Sequence, residues 1–143
     1  MTKMPRRPNN LTRHDYAAMA AFRYELRKFL RFSKEYLAAN ARLTPEQYEA
    51  LLAIRSFDSH LGLPVGQLSE RLQVRHHTTV ALTNKLVARG LVTKERSSTD
   101  RRQVYVQLTK KGADRLASVV QVHRQALRER SPDMIEALSL LRT

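Results

Sequence analysis

Two short helical patterns joined by a three-residue turn, with an alternating hairpin close behind, leave few folds open to this chain. From Val65 to Leu72, apolar Val65, Leu68 and Leu72 face inward at helical spacing. The turn Gln73-Val74-Arg75 leads into a second run from His76 to Arg89, in which Thr79, Leu82, Thr83 and Leu86 share one face. Gly90 ends that run, because glycine takes the left-handed backbone of a helix C-terminus without a steric cost. Helices this short need a partner, and so tight a turn between them points to a helix-turn-helix. Two strands are then expected over Leu91–Arg96 and Gln103–Leu108, where Val104, Val106 and Leu108 alternate with Gln103, Tyr105 and Gln107. Helix-turn-helix followed by a hairpin with a long polar tip is the order of a winged helix.

The flanks complete the architecture. Leu11 to about Asn40 reads as one long helix without Pro or Gly, with Tyr16, Met19, Phe22, Leu26, Phe29, Leu30 and Leu37 at three- and four-residue steps. Thr44, Pro45 and Gln47 form the start signal of a second helix: N-cap, proline in the first turn, and the reciprocal partner of a capping box. Thr109 is placed to cap a fifth helix carrying Ala113, Leu116, Ala117, Val120 and Leu127, and Ser131-Pro132 to cap a short last one carrying Ile135, Leu138 and Leu141. The expected fold class is mainly α with a small β-hairpin, a winged helix-turn-helix domain flanked by N- and C-terminal dimerisation helices. Residues 1–10 read as a flexible basic tail and 11–143 as a single domain. Within it, about 44–112 form the winged-helix lobe, with 11–40 and 113–143 as the flanking dimerisation helices.

The net charge of +13 is unevenly spread. Residues 65–112 alone hold ten Lys/Arg against three Asp/Glu, which suggests a polyanionic partner beyond a need for solubility. With no cysteine, thiolate metal sites, disulfides and thiol redox switching are excluded. No apolar run reaches the roughly 20 residues of a membrane helix, and the polar N-terminus lacks the apolar core of a secretory signal. Neighbouring His76 and His77 point about 100° apart on a helix, so they cannot converge on one metal ion. No phosphate-cradling glycine loop, nucleophile elbow or zinc-protease spacing occurs, so no catalytic residues, metal or cofactor are assigned.

A wing extended past a recognition helix can lay its tip along the neighbouring minor groove, where Arg96, Arg101 and Arg102 would suit the negative potential. Asp100, two residues before Arg102, is expected to orient Arg102 or Arg96 through a bidentate pair. These segments resemble the MarR family of bacterial transcription regulators. The resemblance runs from roughly Leu11 to the C-terminus, and its most specific parts are Gly90-Leu91-Val92, the Asp100-Arg101-Arg102 wing, and Leu108-Thr109 with Gly112. It implies a cytoplasmic homodimer that binds pseudo-palindromic duplex DNA and often releases it on binding a small molecule. The second helix of the pair, 76–89, would enter the major groove by its N-terminus. Arg75 could take guanine, and His77 an acceptor on a base edge. Thr78 and Ala81 could meet a thymine methyl, Lys85 a phosphate, and His76 either a base or the helix end. The departure from relatives is Arg75-His76-His77, where small residues are common. The resemblance also implies an effector site where the first, second and fifth helices meet. Phe32, Tyr36, Tyr48, Leu52, Val119 and His123 are its candidate walls, unless they are ordinary core. Nearby Arg23, Arg27 and Arg31 favour an anionic aromatic ligand. A winged-helix RNA-binding or protein-interaction module is the alternative. The absence of aromatics from the recognition helix and wing tip favours duplex DNA, since single strands are held by stacking.

Overall fold

The computed structural model describes residues 10–57 and 59–142. The basic tail expected over residues 1–10 lies outside the described residues except for Asn10. In chain order the elements are α1 (Arg13–Tyr36), a π-helical turn (Leu37–Ala41), α2 (Pro45–Ser56), β1 (Leu63–Pro64), α3 (Val65–Leu72), α4 (His76–Ala88), β2 (Val92–Arg96), β3 (Val104–Leu108) and α5 (Lys110–Leu140).

Local chemistry sets most of the boundaries. Thr44 Oγ1 accepts from the Gln47 N–H at 3.1 Å while Gln47 Oε1 accepts from the Thr44 N–H at 3.1 Å, so the expected capping box opens α2. Gly90 has φ +71° and its N–H bonds the Val87 carbonyl, closing α4. The first long helix departs from expectation at its end. It widens into the π turn from Leu37 to Ala41 and stops at Arg42, which holds a left-handed φ of 53°. The expected break at Ser131-Pro132 does not occur, and α5 continues from Lys110 to Leu140 with Pro132 inside it. Proline there removes a donor that would have served Arg128. The Ser131 hydroxyl donates to the Arg128 carbonyl at 3.1 Å and supplies the missing bond.

The chain divides into two compact units. One spans residues 34–122, so it is longer at both ends than the 44–112 lobe expected from sequence. Its sheet has three strands rather than the hairpin alone, in the order β1-β3-β2 and antiparallel throughout. Leu63 pairs with Val106, and Val92 to Arg96 pair with Leu108 to Val104. Leu37, Leu51, Leu63, Leu68, Leu86, Leu91 and Val106 are fully buried in one cluster joining helices to sheet. Each such leucine contributes roughly 2 kcal/mol by leaving water. α4 packs as its periodicity predicts, with Thr79, Thr83 and Leu86 buried and Leu82 half-buried.

The other unit comprises residues up to Ser33 and from His123 onward. Its interior is thin: Ala18, Ser33, His123 and Ala137 are buried. Ser33 Oγ and His123 Nε2 share a hydrogen bond at 2.7 Å, and Phe29 and Phe32 stand around the imidazole with ring centroids 6.1 and 5.8 Å away. Among the described residues no helix is long and apolar enough to cross a membrane.

Candidate nucleic-acid interface

α4 is half core and half solvent. Burying Thr79, Thr83 and Leu86 forces the opposite side outward, and Arg75, His76, His77, Thr78, Ala81 and Lys85 are all exposed. Arg75 precedes the first turn with an extended backbone. The unpaired N–H groups of that turn point out of the helix end and add to the positive field of the arginine.

The exposed residues of α4 divide between two grooves. Thr78, Ala81 and Lys85 line a groove of about 320 Å³ against Glu46 and Glu49 at the start of α2, floored by Leu72, Val74 and Leu82. His76 lines a second groove of about 270 Å³ facing the wing, together with Arg96 and Arg102. The structure thus brings three expected contact residues from two elements onto one concave surface. Val80, Asn84 and Lys94 belong to the same surface and were not picked out from sequence. Val80 and Asn84 continue the row from His76 at four-residue steps, a signal present in the sequence once that face is known to be outward. Lys94 Nζ donates to Asn84 Oδ1 at 2.5 Å, which ties the strand to the helix and turns the Asn84 amide donors away from the lysine. The hydroxyl of Thr83, buried beneath this groove, has no hydrogen-bond partner among the described residues.

The wing tip is ordered by its own short polar side chains. Ser97 Oγ accepts from the N–H groups of Thr99 and Asp100, each at 3.2 Å. The Ser97 N–H bonds the Gln103 carbonyl at 2.9 Å and the Gln103 N–H bonds the Asp100 carbonyl at 3.0 Å. The expectation for Asp100 needs correcting here. Its carboxylate accepts from the backbone N–H of Arg102 at 3.0 Å, and among the described residues it forms no ion pair with Arg102 or Arg96. A carboxylate this short reaches an amide two residues on more readily than it reaches the end of a flexible guanidinium, so it shapes the turn. Arg96, Arg101 and Arg102 are exposed, with Arg101 and Arg102 inside the turn itself.

The six residues considered for an effector fall in different parts of the chain. Phe32 and His123 belong to the unit of chain ends, where His123 is buried against Ser33 and Phe32 lies under Arg130, 5.6 Å from its ring. Tyr36, Tyr48, Leu52 and Val119 belong to the lobe, with Val119 in its core and the other three packed against it. Burial, and then the neighbouring Glu49 carboxylate, push the Tyr48 hydroxyl above its ordinary pKa. Among the described residues no three His, Asp or Glu side chains gather as a metal site would require.

A sequence model of the MarR family matches residues 43–103, the stretch that carries the capping box, the helix pair and the wing. This lobe is a MarR-family winged helix. Among solved structures, AbsC, a MarR family transcriptional regulator from Streptomyces coelicolor, superposes with a TM-score of 0.76 at 20% identity, over 87% of this chain and 82% of that one. Wild-type MarR from E. coli in its apo form gives 0.67 at 26% identity, over 83% and 88%. A mutant E. coli MarR complexed with operator DNA gives 0.69 at 25% identity, over 87% and 90%. No curated protein matches the chain. The departure that the MarR resemblance brings out, Arg75-His76-His77, stands at the exposed start of α4.

Proposed function

We propose that this MarR-family transcription regulator is a homodimer that reads a pseudo-palindromic duplex, placing α4 in the major groove and the wing tip 97–102 in the adjacent minor groove. The observation that carries it is the concave surface shared by His76, Asn84, Lys94, Arg96 and Arg102: polar side chains of the helix stand beside the cations of the wing on one face of one lobe. Base-edge contacts fall to Arg75, His76, His77, Thr78 and Ala81, with phosphate contact from Lys85 and groove contacts from Arg96, Arg101 and Arg102. Asp100 holds the turn that presents the arginines. The mutant E. coli MarR bound to operator DNA supports this mode of reading. Two lobes joined by the chain ends would set their recognition helices about one turn of DNA apart.

The dimer rests on apolar surface that a lone copy leaves wet. Tyr16 (63% exposed), Met19 (53%), Ile135 (65%) and Leu138 (45%) all belong to the unit of chain ends. A monomer gains nothing from holding such side chains in water, and a second copy of the same helices would cover them.

The regulator is proposed to act in the cytoplasm as a repressor that releases DNA on binding a small anionic aromatic compound. Such a ligand must favour the DNA-incompetent state, because equal affinity for both states shifts nothing. The deciding experiment competes duplex against single-stranded DNA and RNA of the same sequence across a range of salt. Preferential duplex binding with a steep salt dependence supports the reading. Equal or stronger binding to single strands replaces it with an RNA-binding module.

A further inference from the structure

The π turn, the end of α4 and the start of α5 bring cations together where DNA reading does not need them. Arg42 leaves the π turn in a left-handed conformation, φ 53°, which is unfavourable for a non-glycine residue and is kept only where the surroundings impose it. Arg89 ends α4; its Nη1 donates to Gln47 Oε1 at 3.1 Å, which sets the direction of the guanidinium. Lys111 Nζ donates to the Arg89 carbonyl at 3.0 Å. Arg115 and Lys111 line an open groove of about 620 Å³ whose opposite wall is Tyr36, Asn40 and Ala41. The groove's carboxylate, Asp114, is already paired with Lys110 at 3.2 Å. Burial, and then the charges of Arg115 and Arg42, hold the Arg89 guanidinium below the usual arginine range.

Like charges repel, so cations that converge without acids among them are costly unless an anion completes the set. Among the described residues none of Arg42, Arg89 and Arg115 forms an ion pair with a carboxylate. Guanidiniums present planar donor pairs that match the oxygens of a phosphoryl group, and an ammonium beside them adds a point charge. DNA backbone is the other source of phosphate in reach of such a protein. α4 is 13 residues long, and at about 1.5 Å per residue Arg89 lies roughly 20 Å from the helix end that carries Arg75.

We infer that Arg42, Arg89, Arg115 and Lys111 form a binding site for the phosphoryl group of a small molecule, behind the recognition helix and separate from the DNA-reading surface. The bound group would bridge the π turn, the C-terminal end of α4 and α5, so it would stiffen the mounting of the recognition helix.

The test titrates inorganic phosphate, and in parallel glycerol phosphate, into the full chain without DNA at constant ionic strength. Arginine side-chain N–H signals are followed by NMR and heat by calorimetry. The expected result is saturable binding of one anion per chain, with the largest shifts at Arg89 and Arg115. Arg115→Gln and Arg42→Gln should each weaken it by about tenfold or more, since each removes a charged donor. Lys28→Gln should change nothing, and thermal melts of the variants confirm that they are folded. Non-saturable binding, or binding that the Arg42 and Arg115 variants leave intact, overturns the proposal as an adventitious ion only. So does the absence of phosphate binding combined with loss of duplex affinity and a shallower salt dependence in the same variants, which would make the cluster a DNA backbone contact. Because the phosphate arm contains no DNA, its failure leaves the DNA-reading proposal standing.

Discussion

Gly112 lies in the first turn of α5, where two physical effects predict opposite signs for Gly112→Ala. Alanine is the better helix former by about 1 kcal/mol, so an exposed helical glycine replaced by alanine stabilises a protein. Gly112 is buried, however, and a methyl there would overlap the carbonyl oxygen of Leu91 and stand 2.9 Å from its carbonyl carbon and 3.2 Å from its Cα. Comfortable separations are about 3.5–4.0 Å, so the backbone before β2 must retreat by roughly an ångström. That same Leu91 carbonyl accepts from the Thr109 N–H at 3.0 Å, and the neighbouring Gly90 carbonyl accepts from Thr109 Oγ1 at 2.6 Å. Overpacking against backbone costs about 3 kcal/mol and loss of one of these bonds about 1. Less the helix gain, the net loss is about 3 kcal/mol. In urea this lowers the unfolding midpoint by roughly 2 M, and in a thermal scan it lowers the melting temperature by about 10 °C. Because the clash lies where the wing leaves α5, duplex affinity should fall as well. Stability equal to or above wild type would show that Leu91 yields freely and would refute the reasoning.

Asp100→Ala should weaken duplex binding by freeing the Arg102 amide, whereas Asp100→Asn keeps an acceptor for that amide and should bind at least as tightly as wild type; equal behaviour of the two variants in a gel-shift titration would contradict the turn-holding role. Arg102→Gln should lower affinity on every sequence and reduce the slope of log affinity against log salt by about one, and an unchanged slope would place Arg102 off the DNA. Thr83→Val should raise stability by about 1 kcal/mol, because the buried hydroxyl lacks a partner among the described residues; a comparable loss in chemical denaturation would mean that the hydroxyl is satisfied. Ile135→Asp should convert the proposed dimer to a monomer in sedimentation velocity at micromolar concentration and abolish binding to a two-half-site duplex, and a stable dimer would remove this face from the interface.

Much of the lobe was legible because its signals are local. The capping box at Thr44 and Gln47, the stop at Gly90, the inward row Thr79, Thr83 and Leu86, and the alternation about Val106 each act over eight residues or fewer, and the structure carries them unchanged. The errors lie where distant residues decide. β1 is two residues long, too short to show a period, and is a strand only because Val106 lies opposite Leu63. Ser131-Pro132 is a sound start signal, overridden because one serine hydroxyl satisfies the carbonyl that proline leaves bare. The row Val80 and Asn84 acquired its place only when the wing packed beside it and Lys94 reached Asn84.

By itself the sequence determined the helix-turn-helix, the basic hairpin and the candidate DNA contacts, since backbone capping and side-chain periodicity are properties of neighbours along the chain. Only the tertiary structure decided that Asp100 serves an amide rather than a guanidinium, and that Lys111, 22 positions along the chain, reaches the Arg89 carbonyl. Both depend on which atoms folding brings within a few ångströms, and electrostatic and hydrogen-bond energies fall too steeply with distance for chain order to reveal them.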